Sequence, residues 1–191
     1  MPRISDTSLL HLAFRHPCTQ LARDLERAGI PLAIYETGRA PFRQCELYAR
    51  GRGVGDVGKT VTRAKAWSSL HQYALAADFV FFVDGRWTWV EPRPGMWAEF
   101  TKLASGVGLR SLSFERPHVE LPVSLADLQA GRYPGDGGAA WEDWVETQIE
   151  AWGHDARMVG NIMHPGAPPL PTIEERPPLV FPPGMPPSPF V

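Results

Sequence analysis

The sequence has no large charge excess of either sign: 19 Lys and Arg stand against 21 Asp and Glu, a formal net charge of −2. That balance excludes a strong electrostatic pull toward nucleic acid or an anionic membrane surface. Cysteine is scarce. Cys18 and Cys45 are too few for a disulfide framework and form no C-x-x-C, and both fall in helix-like segments, so two buried thiols are expected. No run of about 18 apolar residues occurs, which predicts no membrane-inserted helix. Near the start, Arg3, Asp6 and Arg15 flank only a short apolar stretch over 9–14. A secretory signal needs a longer one, so synthesis in the cytoplasm without a signal peptide is expected.

What is present is enough for one well-filled domain. The chain has 191 residues, 43% of them hydrophobic, with seven Trp and nine Phe. The pattern predicts a helix over 17–28 with Pro17 in its first turn and Gly29 as its stop. A short strand over 32–37 and a helix from Pro41 to about residue 50 follow. The segment 75–83 alternates and then turns fully apolar, as a buried strand does. Asp84-Gly85 is a two-residue hairpin signal, with a returning strand over 86–91. Trp97, Phe100, Leu103 and Ala104 mark a third helix closed by Gly106 and Gly108. Strand pieces are predicted at 112–114 and 118–121 around Pro117. Ser124 and Asp127 cap a short helix. Trp141, Trp144, Val145, Ile149 and Trp152 form the apolar stripe of a last helix over 139–152, whose other face carries Glu142, Asp143, Glu146 and Glu150. That stripe is expected to dock on the domain or on a partner protein.

The composition changes at Pro165. Eleven of the twenty prolines lie in 165–191, a stretch that favours extended polyproline conformation. The expected organisation is a principal domain over 1–135, a helical extension over 136–164 and a proline-rich tail over 165–191. The expected fold class is α+β: a small, mainly antiparallel sheet carrying the site, flanked by helices.

Two constellations carry chemistry. A hydrolytic zinc site needs three His, Asp or Glu ligands, one open position, and a separate carboxylate that takes a proton from water. His71 and Asp78 are separated by six residues, and Glu115 precedes His118 by three, with rigid Pro117 between. Spacing alone leaves open that these are unrelated surface and core residues. Asp78 adds weight because it sits inside an apolar run, where a carboxylate needs a partner or a metal to offset desolvation. Glu120, two residues beyond His118 on a strand, shares its face. The second constellation, 53–60, fits the phosphate-loop pattern G-x-x-x-x-G-K-[ST] with Lys59 and Thr60 in place. That motif requires a buried strand before it and a helix after it. Neither is indicated, so the segment is read as a glycine-rich loop. His11, His16, His154 and His164 have no ligand-like spacing and are read as solvated or capping residues.

The stretch 61–79, containing Ser69, His71, Ala76 and Asp78, resembles the M15 family of peptidoglycan peptidases, whose signature is Ser-x-His-x-x-Gly-x-Ala-x-Asp. Glu115 and His118 match its later acidic residue, two others and His. Thr37-Gly38-Arg39 with Gln44, Leu47 and Tyr48 is similar to the family's upstream segment. The resemblance covers about residues 17–130. It implies zinc held by His71, Asp78 and His118, with Glu115 as proton acceptor. Arg39 is implied at the oxyanion or a substrate carboxylate, and Gln44 and Ser69 at the substrate-binding side. It also implies a peptidoglycan peptide as substrate, cut by an endolysin or virion-associated endopeptidase or by a D-alanyl-D-alanine carboxypeptidase. A non-catalytic zinc-containing structural or virion assembly protein is the alternative of another class. Action would follow release to the cell wall or delivery in a virion, with a virion or tail protein as possible partner of 139–191. Two departures stand out. Ala74 occupies the usual Gly position, and the segment before Glu115 is short and lacks the usual Trp-Gly-Gly.

Overall fold

The computed structural model describes residues 2–53 and 59–171. Residues 54–58 of the phosphate-loop pattern and 172–191 of the proline-rich tail lie outside the described residues. The fold is α+β, an antiparallel sheet flanked by helices. Among the described residues no helix is long and apolar enough to cross a membrane.

The first helix, α1 (Leu12–Arg27), begins five residues before the expected start. Phe14, Pro17, Cys18, Leu21 and Leu25 are its buried residues, so the apolar face reaches upstream of Pro17 and carries the helix with it. Pro17 is interior and leaves one ladder donor missing. His11 starts the helix: its Nδ1 accepts the Ala13 N–H at 3.1 Å. It is therefore a fully buried cap, stacked edge-on against Trp141 at 4.6 Å.

β1 (Leu32–Glu36) and α2 (Pro41–Ala49, with Pro41 in its first turn) follow. A 3-10 turn, Leu70–Tyr73, leads to the central strand β2 (Ala76–Val83). Asp84 and Gly85 both adopt positive φ, 49° and 74°, as the tight hairpin requires. β3 (Arg86–Thr88) is shorter than expected because the Thr88 hydroxyl captures the Val90 N–H at 3.1 Å and turns the chain. After α3 (Met96–Gly106) comes a hairpin of β4 (Arg110–Leu112) and β5 (Glu115–Glu120). The strand predicted over 112–114 ends at Leu112, and Phe114 lies at the hairpin tip, 84% exposed. The sheet order is β1-β2-β5-β4, with β3 on the free part of β2.

α4 (Leu125–Gln129) is capped by Ser124, whose hydroxyl accepts the Asp127 N–H at 3.4 Å. α5 (Ala139–Trp152) buries Trp141, Val145, Ile149 and Trp152 in the same core as α1 and the sheet. Its apolar stripe is thus spent within the chain, and its acidic face remains open. The short strands β6 (Arg157–Val159) and β7 (Ile162–His164) form a second sheet. His164, expected to be solvated or capping, is buried: its Nδ1 accepts the Ala66 N–H at 3.2 Å and lies 3.6 Å from the Cys45 thiol. Both cysteines are free and buried, and burial pushes the Cys18 thiol up to about 12.

Candidate metal centre

Sheet register builds the site. Asp78 on β2 lies opposite Glu36 of β1 on one side and His118 of β5 on the other. His71 arrives from the 3-10 turn just before β2. The donor atoms of His71, Asp78 and His118 all lie within 4.8 Å of one another, and all three residues are buried.

The turn joining His71 to β2 explains one departure noted above. Ala74 adopts φ 50°, ψ 38°, the left-handed conformation that glycine takes without strain. The chain keeps that geometry with an alanine. The backbone of Ala74 is held at both ends: its N–H donates to the His71 carbonyl and its carbonyl accepts the His11 N–H, each at 3.2 Å.

Each of the three candidate ligands has a second partner that orients it. His71 donates from Nδ1 to the Thr37 carbonyl at 2.6 Å, which leaves Nε2 facing Asp78 Oδ1 at 3.3 Å. His118 is turned the other way round. Its Nε2 donates to Glu120 Oε2 at 2.9 Å, and its Nδ1 lies 3.3 Å from Asp78 Oδ1. Glu120 is fixed in turn by Arg110 at 2.8 Å. Asp78 Oδ2 accepts from Arg39 at 3.0 Å, so only Oδ1 is presented to the histidines.

Burial by itself would push the Asp78 carboxyl up. The neighbouring His71 charge, hydrogen bonds from both histidines and the Arg39 charge outweigh it and hold Asp78 well below the usual carboxylate range. Burial would lower His118, but hydrogen bonds to Asp78 and Glu120, with the charges of Asp78 and Glu115, raise it to about 9. Glu120 is lowered: the His118 bond and charge and the Arg110 contact prevail over its burial.

This donor set fits a divalent metal. Tetrahedral coordination with bonds of about 2.0–2.1 Å separates neighbouring donors by roughly 3.3 Å. Asp78 Oδ1 stands 3.3 Å from each histidine nitrogen. In both rings it is the nitrogen not engaged by the orienting partner that faces the carboxylate.

The remaining expected residues divide. Glu115 lies at the open side, exposed, and lines the same cavity as His71 and His118. Strict strand alternation would send Glu115 and His118, three apart, to opposite faces. The register shift between Ser111 and Leu112, where Leu112 pairs directly with Glu115, breaks that alternation. Ser69 also lines the cavity, and its N–H donates to the Gln72 side chain at 3.1 Å, part of a capping box that starts the 3-10 turn. Gln44, expected on the substrate-binding side, points into the protein interior. It is fully buried, accepting from Arg39 at 3.1 Å and from Gln72 at 3.0 Å and donating to the Ala64 carbonyl at 2.7 Å. Arg39, expected at an oxyanion, is 7% exposed, and its donors go to Glu36, Gln44 and Asp78. Its strong contacts are those of a brace behind the Asp78 carboxylate.

Sequence reasoning missed Glu36, Thr37, Gln72 and Arg110 as supports. Thr37 stood in the Thr37-Gly38-Arg39 segment, but its part here is played by a backbone carbonyl, which no residue type announces. Gly38 has a packing reason: a Cβ there would meet the Trp144 ring of α5 at 3.0 Å. The last helix therefore presses on the segment that supplies both the Thr37 carbonyl and Arg39. The phosphate-loop pattern lacks its context: α2, a helix, precedes it, and no helix occupies 59–67.

Fold and site together define an α+β domain with a buried two-histidine, one-carboxylate centre beside an open cavity. No family model and no curated protein matches the chain. Among solved structures, a crystal structure of an L,D-carboxypeptidase, DacB, from Streptococcus pneumonia is a distant likeness: 18% identity and a TM-score of 0.44, covering 87% of this chain and 80% of that one.

Proposed function

We propose that the chain is a zinc peptidase that hydrolyses peptide bonds in the stem peptides of bacterial peptidoglycan. The observation that carries this reading is the pairing of three buried donors, each held by its own orienting partner, with an exposed Glu115 on the adjoining cavity. The sequence resemblance described above supplies the substrate class. His71 Nε2, His118 Nδ1 and Asp78 Oδ1 would hold the ion. Zinc bound there supplies Lewis acidity, which polarises a carbonyl and brings water toward its nucleophilic form near neutral pH. Glu115 accepts the proton of the attacking water and passes it to the nitrogen of the departing amine. Its exposed carboxylate makes no salt bridge or side-chain hydrogen bond among the described residues, which leaves its oxygens open to a water on the cavity side. Arg39 fixes Asp78 in a one-oxygen presentation, and Glu120 fixes the His118 ring.

An endolysin or virion-associated endopeptidase is the form of this reading that we favour, with terminal D-alanine removal as the alternative within the same chemistry. A virion partner for residues 139–191 would meet the acidic face of α5, because the apolar stripe is buried. The test is mass spectrometry of fragments released from purified sacculi by the wild type, a chelated sample and Glu115→Ala. Fragments that vanish on chelation and in the variant support the peptidase, and their new termini name the bond. Zinc in the protein with no release from any wall type would instead favour a structural role.

A further inference from the structure

The cavity over the two histidines does not end the cleft. That cavity, about 730 Å³, lies beside Ser69, Arg110 and Leu125. A second, about 580 Å³, lies on the Asp78 side between Tyr35, Trp89 and Arg116. Arg39, Val61, Thr62, Phe114 and Glu115 line both, so the two meet at the proposed proton acceptor. Each lies within the range of about 300–1,000 Å³ usual for ligand pockets.

The second cavity is rich in arginine. Arg39, Arg43, Arg50 and Arg116 face Glu36, Asp78 and Glu115 there. Two of the acids are already committed. Glu36 is held by Arg39 and Arg43, at 2.5 Å each, and Asp78 by Arg39 and the histidines. Arg50 and Arg116 are exposed, and neither forms a salt bridge among the described residues. The far wall is aromatic. Trp89 is 57% exposed and stands edge-on to Tyr35 at 5.3 Å. Guanidinium groups beside aromatic rings suit a chain that carries carboxylates on short aliphatic stems.

We propose that this second cavity is a subsite for a carboxylate-bearing peptide segment, with Arg50 and Arg116 as its specificity-determining cations. The inference rests on the peptidase reading for its place beside a scissile bond. It adds that the peptide continues past the metal centre on both sides, and that its acidic portion lies over Arg50 and Arg116. A site that accepted only a free chain end would need no second cavity beyond the bond, whereas among the described residues a second one adjoins Glu115.

The test is direct binding to the zinc-loaded full chain, followed by tryptophan fluorescence and calorimetry. The probes are two short peptides blocked at both ends, identical except that one carries two Glu where the other carries two Gln. The wild type should bind the Glu peptide roughly tenfold more tightly. Arg50→Gln with Arg116→Gln should abolish that preference without changing affinity for the Gln peptide, and the paired Lys variants should restore part of it. Equal binding of the two peptides, a preference that survives in the double Gln variant, or binding only of peptides with a free terminal carboxylate would each overturn the proposal. Because the readout needs no turnover, acidic-peptide binding by a chain that never cleaves would sink the peptidase reading and leave the subsite standing. Wall cleavage with no charge preference would do the reverse.

Discussion

The buried half of the site and its open rim follow different rules. His71, Asp78 and His118 are each gripped by a second group: the Thr37 carbonyl, Arg39 and, two residues along the same strand, Glu120. Along the rim, Glu115, Phe114, Arg50 and Arg116 are exposed. The buried half must hold charged groups out of water in one geometry, so every donor and acceptor needs a partner. The rim must meet something that comes and goes, so its charges are left available. Damage should therefore appear as lost structure and metal in the first region, and as lost chemistry or selectivity in the second.

The largest effect should come from Asp78→Ala. It removes the acceptor shared by both histidines and leaves Arg39 and His118 short of a buried counter-charge. Breaking a buried pair from one side costs about 3–5 kcal/mol. Zinc analysis should show loss of the ion, and denaturant unfolding should show the drop in stability. A variant that kept stoichiometric zinc would contradict the ligand assignment.

Glu115→Gln separates the two regions more sharply. It should retain zinc and change stability by no more than about 0.5 kcal/mol, as an exposed substitution does. Hydrolysis should nevertheless fall by about 10²–10⁴-fold, the usual worth of a positioned proton acceptor. Equal losses of metal and activity would move Glu115 into the buried, structural half.

The support of His118 predicts a pH signature. In the metal-free protein His118 is raised to about 9 from an ordinary 6.5. Its protonated form therefore stabilises the apo fold. That contribution is fully present below about 6.5 and is lost as pH rises through about 9. Zinc must displace the same proton, so its apparent affinity should fall as pH drops below 9. The zinc-induced rise in melting temperature should accordingly grow from pH 6 to pH 9. Glu120→Gln, which removes the charge at the His118 ring, should weaken zinc binding about 10–100-fold and flatten that trend.

These two regions were not equally legible in the sequence. The candidate triad could be grouped from spacing and resemblance because each residue stands in an ordered element, and register then places Asp78 opposite His118. The grip behind the triad was mostly invisible. The Thr37 carbonyl is backbone and leaves no residue-type signal, and Arg110 reaches Glu120 from the neighbouring strand of a bulged hairpin. Gln44 and Arg39 were both expected at the substrate. A motif records that residues go together, not whether they face ligand or hold one another, and here burial decided the second. The early start of α1 was missed because Pro17 is a strong local start signal, whereas the apolar face running back to Phe14 is a tertiary one.

Ala74→Gly should have the smallest effect, for a reason peculiar to the buried half. Ala74 is fully buried and lies between two of the proposed metal ligands, which ordinarily marks a position intolerant of change. Its φ of 50° costs an alanine roughly 1–2 kcal/mol that glycine does not pay. Removing the buried methyl loses about 0.8 kcal/mol of apolar burial, and glycine's freer unfolded chain loses about 0.4–1 kcal/mol more. These contributions oppose each other and are of similar size, so the net change in unfolding free energy should stay within about 1 kcal/mol, with zinc retained. Ala74→Val lacks the compensation: a β-branched residue is a genuine outlier at positive φ, and the packed site has no room for it. Unfolding both variants beside the wild type decides the point. A large loss in the glycine variant would mean that the methyl, not the turn, holds His71 and Asp78 in register.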